Sequence, residues 1–252
     1  MINDCTNPGA EGDEQAVIRR ARRTTERRET MCFSAGSSFT AGVLLTFAGV
    51  ETMRKVHKPA QLGLASISLF FAFQQVAEGF LWVSIGKSDY AVMQAVSTYL
   101  FIIMAQVVWP ILVPLSVLLM EENRTRKKIL FALQMLGVAI ALYYAYRLIF
   151  YDISAEISRK HIVYPTTAPH YSDAITVLFY LVATIAPLFV SSVKRIHFVG
   201  TLMGLSFVVS AVLYREFLIS VWCFFAAVIS FVLFYIIRES HKKHHAAQTG
   251  SR

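Results

Sequence analysis

The chain has 252 residues, 56% of them apolar and only 16% charged, with a net charge of +8 and a mean hydropathy of +0.52. Soluble domains carry about a quarter charged residues; here long apolar runs alternate with short Arg/Lys clusters, which excludes a soluble core in favour of a bilayer. The basic residues sit in short loops, where they set membrane orientation, so the pI near 9.5 points to the lipid bilayer as partner and not to nucleic acid.

Residues 1–30 form a polar leader in which Arg19, Arg20, Arg22, Arg23, Arg27 and Arg28 face six acidic residues. It lacks an apolar period and reads as disordered, or as a mis-assigned start ahead of Met31. Seven apolar spans follow, at about 35–53, 62–85, 91–119, 129–150, 173–191, 196–214 and 218–237, each long enough for a hydrocarbon core of roughly 30 Å. The expectation is therefore an all-α integral membrane bundle of about seven transmembrane helices over 31–237, with a basic, His-rich tail over 238–252. Pro110 and Pro114 are expected to kink or end the third span near an interface.

Basic clusters follow the first span (Arg54, Lys55, Lys58), the third (Arg124, Arg126, Lys127, Lys128), the fifth (Lys194, Arg195) and the seventh (Arg238, Lys242, Lys243). All four fall on one side of a seven-span count. The positive-inside rule then puts the carboxyl terminus in the cytoplasm and residue 31 outside. Trp82, Tyr90, Trp109, Tyr151, Tyr171, Tyr214 and Trp222 lie near the expected span ends, and interfacial aromatic belts account for most of them. Ser38, Gly42 and Gly49, the pair Gly200-x-x-x-Gly204, and Ser220, Cys223, Ala227 and Ser230 are assigned to close helix packing.

The second span carries Gln74-Gln75-x-x-Glu78, which with Trp82 share one helix face. A carboxylate inside a membrane helix costs several kcal/mol unless it is paired, hydrated or protonated, so Glu78 marks a functional site or a structural polar network. Arg147, near the outer end of the fourth span, is the matching cation, although it can equally snorkel to the interface. In the fifth span Asp173, Thr176, Tyr180, Thr184 and Ser191 make a polar stripe that lines a cavity or joins helices.

The longest loop, at about 151–172, carries His161 and His170 and is long enough to act as a lid. Those histidines and Cys32 are weak metal candidates only, because no zinc or copper ligand spacing exists. Cys32 and Cys223 are placed to approach each other at the outer face. No cofactor is indicated. Phosphate loops, dinucleotide-binding glycines and the esterase elbow are missing, and the last span has no lysine for a retinal Schiff base.

Met31-Cys-Phe-Ser-Ala35, Phe73-Gln-Gln-Val-Ala-Glu-Gly79, His161-x-x-Tyr164 and Ser220-Val-Trp-Cys-Phe-Phe-Ala-Ala227 together resemble a bacterial multi-pass membrane family of unknown function whose members begin at Met-Cys-Phe-Ser-Ala. The resemblance spans about 31–237. It implies that Cys32, Gln75, Glu78, His161, Trp222 and Cys223 are motif positions, and it implies no activity. Three functional expectations stand beside it. The foremost is binding or transport of a small molecule or ion in an outward polar cavity around Glu78. The others are a membrane-embedded enzyme using Cys32, His161 and Glu78, perhaps with a metal, and a purely structural polar network.

Overall fold

The computed structural model describes residues 34–56, 58–158, 161–169, 173–213, 221–223, 225–227 and 229–230. Helix α1 (Ala35–Met53) starts at Ser34, whose hydroxyl accepts from the Ser37 amide at 3.3 Å while its own amide donates to the Ser37 hydroxyl at 2.9 Å. This reciprocal cap satisfies two amides that the first helical turn leaves over. The chain turns back into α2 (Leu62–Ser84). The two helices run antiparallel in close contact: a Cβ on Gly42 would press on Val76 at 2.9 Å, and one on Gly49 would overlap Leu69. The small-residue face of α1 is thus a packing face.

After α2 the backbone turns through Gly86 at φ 80°, a conformation that glycine takes without steric cost. Helices α3 (Ala91–Ile102) and α4 (Trp109–Met120) are joined by a π-helical turn, Ile103–Val108. They make one apolar rod from Ser88 to Met120, 33 residues long. The expected break near an interface does not occur, since the rod runs past both Pro110 and Pro114. The distortion lies just upstream. The Trp109 amide donates five residues back to Met104, as the π register requires. Pro110 is next in that register and has no N–H to give Ala105. The orphaned Ala105 carbonyl instead accepts from the Tyr180 hydroxyl at 2.6 Å.

Helix α5 (Arg124–Phe150) is capped by Asn123, whose side-chain oxygen accepts from the Thr125 and Arg126 amides at 3.0 and 3.1 Å. It crosses α4 where Gly137 meets Pro110, so closely that a Cβ on Gly137 would run into the Pro110 carbonyl oxygen. The long loop that follows folds into a hairpin of β1 (Glu156–Ser158) and β2 (His161–Val163), antiparallel, with Ile157 opposite Ile162. Helices α6 (Asp173–Val190) and α7 (Lys194–Leu213) come next. Described residues at 221–223, 225–227 and 229–230 are helical again.

A polar corner ties one end of this bundle together. Glu121 accepts from the Asn123 amide at 3.0 Å and from the Ser192 amide at 2.7 Å. Arg126 donates to the carbonyls of Val190 and Ser191, at 3.2 and 2.8 Å, where the C-terminal carbonyls of α6 lack helical partners. Burial alone would raise the Glu121 carboxyl. The Asn123 and Ser192 hydrogen bonds and the Arg126 charge outweigh it and hold the group below its usual range.

One apolar core runs between α2, α4, α5, α6 and α7 around Phe71, Trp109, Leu130, Tyr144 and Leu188. A second lies at the opposite end, where Ala155 and Ile162 of the hairpin region pack on Ala77, Leu81, Phe101 and Cys223. Four described helical stretches are long and apolar enough to cross a membrane: Pro59–Ser84, Ser88–Met120, Arg124–Phe150 and Lys194–Leu213. Helix α6 is apolar but shorter. Exposed side chains such as Leu142, Ile149 and Val212 give these helices the outward face that lipid contact requires.

Candidate functional site

The polar residues of α2 lie wholly inside the protein: Gln74 and Gln75 are 0% exposed and Glu78 is 1% exposed. Burial to that degree removes water, so each polar atom must find another partner or cost free energy. Gln74 is fixed by the Trp109 indole N–H, which donates to its Oε1 at 2.8 Å. Trp109 is itself held by stacking on Phe71, with centroids 4.0 Å apart and planes at 26°. Because the indole can only donate, Oε1 must face it and Nε2 must point elsewhere. Nε2 has no nitrogen or oxygen partner among the described residues; its hydrogen-bonding neighbour is the Cys223 side chain. Gln75 Nε2 donates to Glu78 Oε2 at 3.3 Å, which leaves Gln75 Oε1 unpartnered among the same residues.

Glu78 is six residues from the end of α2, about 9 Å below it at 1.5 Å per residue. The hairpin region covers that end. Gln94 Nε2 donates to the Ala155 carbonyl at 2.9 Å, and Tyr164 stacks on Phe101 with centroids 5.1 Å apart and planes at 10°. The Tyr164 hydroxyl is buried and unpartnered among the described residues. Burial first, then the neighbouring Glu78 and Cys223, push it well above the ordinary phenol range, so it stays protonated. Burial likewise lowers His161, in β2, and favours its neutral form. The arrangement is a desolvated carboxylate, two part-used amides and a phenol under a hairpin lid.

Trp222 packs on the first core, where it meets Tyr180 edge-to-face at 5.9 Å, whereas Cys223 is a buried free thiol in the second core beneath the hairpin. Tyr180 is spent on Ala105 and Thr184 on the Tyr180 carbonyl, and both line an apolar cavity between the helices. Arg147 sits in the last turn of α5 with its guanidinium 5.8 Å from the Tyr143 ring centroid. Cys32 and His170 fall outside the described residues, as does the side chain of Asp173, which opens α6. No group of three or more potential metal-binding side chains occurs among the described residues.

Trp109 departs from the sequence reading. It is 5% exposed and lies at the middle of the long rod, not in an interfacial belt. The signal was its distance from either end of the apolar run. Two other contributors, Gln94 and Glu121, bore no motif. Glu121 was legible only as an acid next to a basic cluster.

The sequence model of a family of unknown function (DUF6629) matches residues 31–248, and the chain belongs to that family. No curated protein and no solved structure matches it.

Proposed function

We propose that this family member is a seven-span integral membrane protein that binds or transports a small molecule or ion at Gln74, Gln75 and Glu78, beneath the hairpin lid. The supporting observation is that Gln74 and Gln75, both 0% exposed, each keep one amide atom with no nitrogen or oxygen partner among the described residues, next to a buried carboxylate. Leaving such groups unmet costs about 1–3 kcal/mol each. A fold under no functional demand would fill these positions with aliphatic side chains. Glu78 supplies the charge, Gln75 orients it, and Tyr164 and His161 close the site from outside. Arg147, Asp173, Tyr180, Trp222, Cys223 and Cys32 complete the proposed surroundings.

The proposed orientation places residue 31 outside and the carboxyl terminus in the cytoplasm of a bacterial inner membrane. Two observations support it. Glu121 and Arg126 bind the 190–192 turn, so the basic clusters at 124–128 and 194–195 share one end of the bundle. Gly63, close after the 54–58 cluster, packs on Ser116 near that same end.

The test is wild type against Glu78→Gln in proteoliposomes, reading proton flux under an imposed potential and thermal stabilisation by sodium and calcium salts. Wild type should show flux or cation-dependent stabilisation, and the variant should insert normally and lose it. Identical behaviour of both proteins would remove the proposal.

A further inference from the structure

The polar atoms at the hairpin end of α2 narrow the ligand to one chemical species. We propose that it is the proton, carried by water molecules hydrogen-bonded among Gln75, Glu78, Trp82 and Tyr164; this rests on the binding role proposed for the Glu78 site.

Gln75, Glu78 and Trp82 follow one another at spacings of three and four residues in α2, so they share a face that climbs towards the helix end. Trp82 and Tyr164 both pack on the core formed by Ala77, Leu81, Phe101 and Cys223, and Tyr164 lies within electrostatic reach of Glu78. Gln75 Oε1, Trp82 Nε1 and the Tyr164 hydroxyl are buried there with no hydrogen-bond partner among the described residues. The first can only accept, the second can only donate, and the third does either. A buried indole N–H is also not facing a lipid headgroup, so an interfacial belt does not account for Trp82.

An occupant must therefore accept from Trp82 and donate to Gln75 Oε1 and the Glu78 carboxylate. Sodium or calcium would meet the oxygens but leave the Trp82 N–H unmet, and calcium takes about six to eight oxygen ligands. Glu78 and Glu121 are the buried acids among the described residues, and Glu121 belongs to the corner that holds Ser192. An anion would lie desolvated against a carboxylate and an amide oxygen. Water fits, because it donates and accepts at once and buried waters take about three such partners. Size points the same way. The Gln94 bond to Ala155 and the Tyr164 stack on Phe101 close the end of the bundle, so a larger molecule needs the hairpin to lift and water does not.

A hydronium at the outer surface passes its proton along the waters to a Glu78 carboxylate oxygen, leaving neutral water and a protonated carboxyl; release reverses the path. Gln75 Nε2 already donates to Oε2 at 3.3 Å, which makes Oε1 the better acceptor. The titratable groups on the elements packed over Glu78 are Tyr164, Cys223 and a His161 kept neutral by burial. None of these supplies a permanent positive charge to hold the carboxylate ionised.

Purified full-length protein is reconstituted in liposomes with an internal pH dye and driven by an imposed potential in choline, sodium or calcium salts. The expected proton flux is the same in each salt and absent in Glu78→Gln. It falls roughly ten-fold in Trp82→Phe and in Tyr164→Phe, which each remove one buried hydrogen-bonding atom and keep a ring. Wild-type flux in both folded ring variants overturns the water relay. Glu78-dependent movement of sodium or calcium, or stabilisation by either, without proton flux overturns the proton and leaves the binding role standing. No Glu78-dependent signal from any ion removes both. Should the ring variants fail to fold, infrared difference spectra of wild type between acid and neutral pH decide. A carboxyl band missing in Glu78→Gln, with O–H stretching bands that shift in heavy-oxygen water, supports the relay; spectra without that shift overturn it.

Discussion

Trp109 and Tyr180 each serve a single buried acceptor, and their removal has a definite cost. Trp109→Phe keeps the stack on Phe71 but deprives Gln74 Oε1 of its donor. We expect a loss of about 1–3 kcal/mol, because the amide oxygen is then buried and unpaired. Tyr180→Phe removes one hydroxyl and leaves the Ala105 carbonyl, already orphaned by Pro110, without a donor; a loss in the same range of about 1–3 kcal/mol is expected. Thermal unfolding in detergent checks both, and a change below about 0.5 kcal/mol in either would contradict the assigned partner. The Gln-Gln-x-x-Glu pattern was readable from the chain because polar residues stand out in an apolar helix. Trp109 was not, because nothing local tells an indole buried against an amide from one at a lipid headgroup. Its partner is 35 residues away.

Helix joints decide the next level. Gly137 has the Pro110 carbonyl where a Cβ would go, whereas Gly204 has nothing within 4 Å among the described residues. Gly137→Ala should cost about 1–3 kcal/mol through enforced separation of α4 and α5. Gly204→Ala should be neutral or stabilising by up to about 1 kcal/mol, from helix propensity. The sequence marked the glycines at 200 and 204 as a packing pair; among the described residues Gly200 meets a neighbouring helix, against Leu188 and Phe189, and Gly204 does not. Spacing shows which residues share a face, not whether another helix lies on that face.

The Glu121 corner adds a pH dependence at the same level. Its carboxyl lies below the ordinary 4.5, so on acidification the unfolded chain takes up the proton before the folded one does. The corner's contribution is therefore full above about pH 4.5 and lost as pH falls through the lower folded value. Glu121→Gln should be less stable than wild type near neutrality, and the two melting curves should converge under acid. A constant gap across that range would contradict the corner's charged role.

Seen across the whole molecule, the helical, membrane-compatible architecture was legible because composition and charge segregation are properties of the entire chain. The hairpin within the 151–172 loop was not, since three-residue strands leave no period to read. Orientation is open to direct measurement: fusion reporters placed in the 121–124 corner and in the 152–158 segment should report opposite sides of the membrane, the first cytoplasmic. Equal signals from both would contradict the proposed topology.

The central claim is that the amide atoms of Gln74 and Gln75 left without a nitrogen or oxygen partner among the described residues, beside Glu78, receive a ligand. The most direct measurement is a high-resolution structure of the full chain in a native-lipid nanodisc. The account predicts ordered non-protein density within hydrogen-bonding reach of Gln75 Oε1 and Glu78, under Tyr164. Empty space there, with both glutamine amides fully paired to protein atoms, would contradict it.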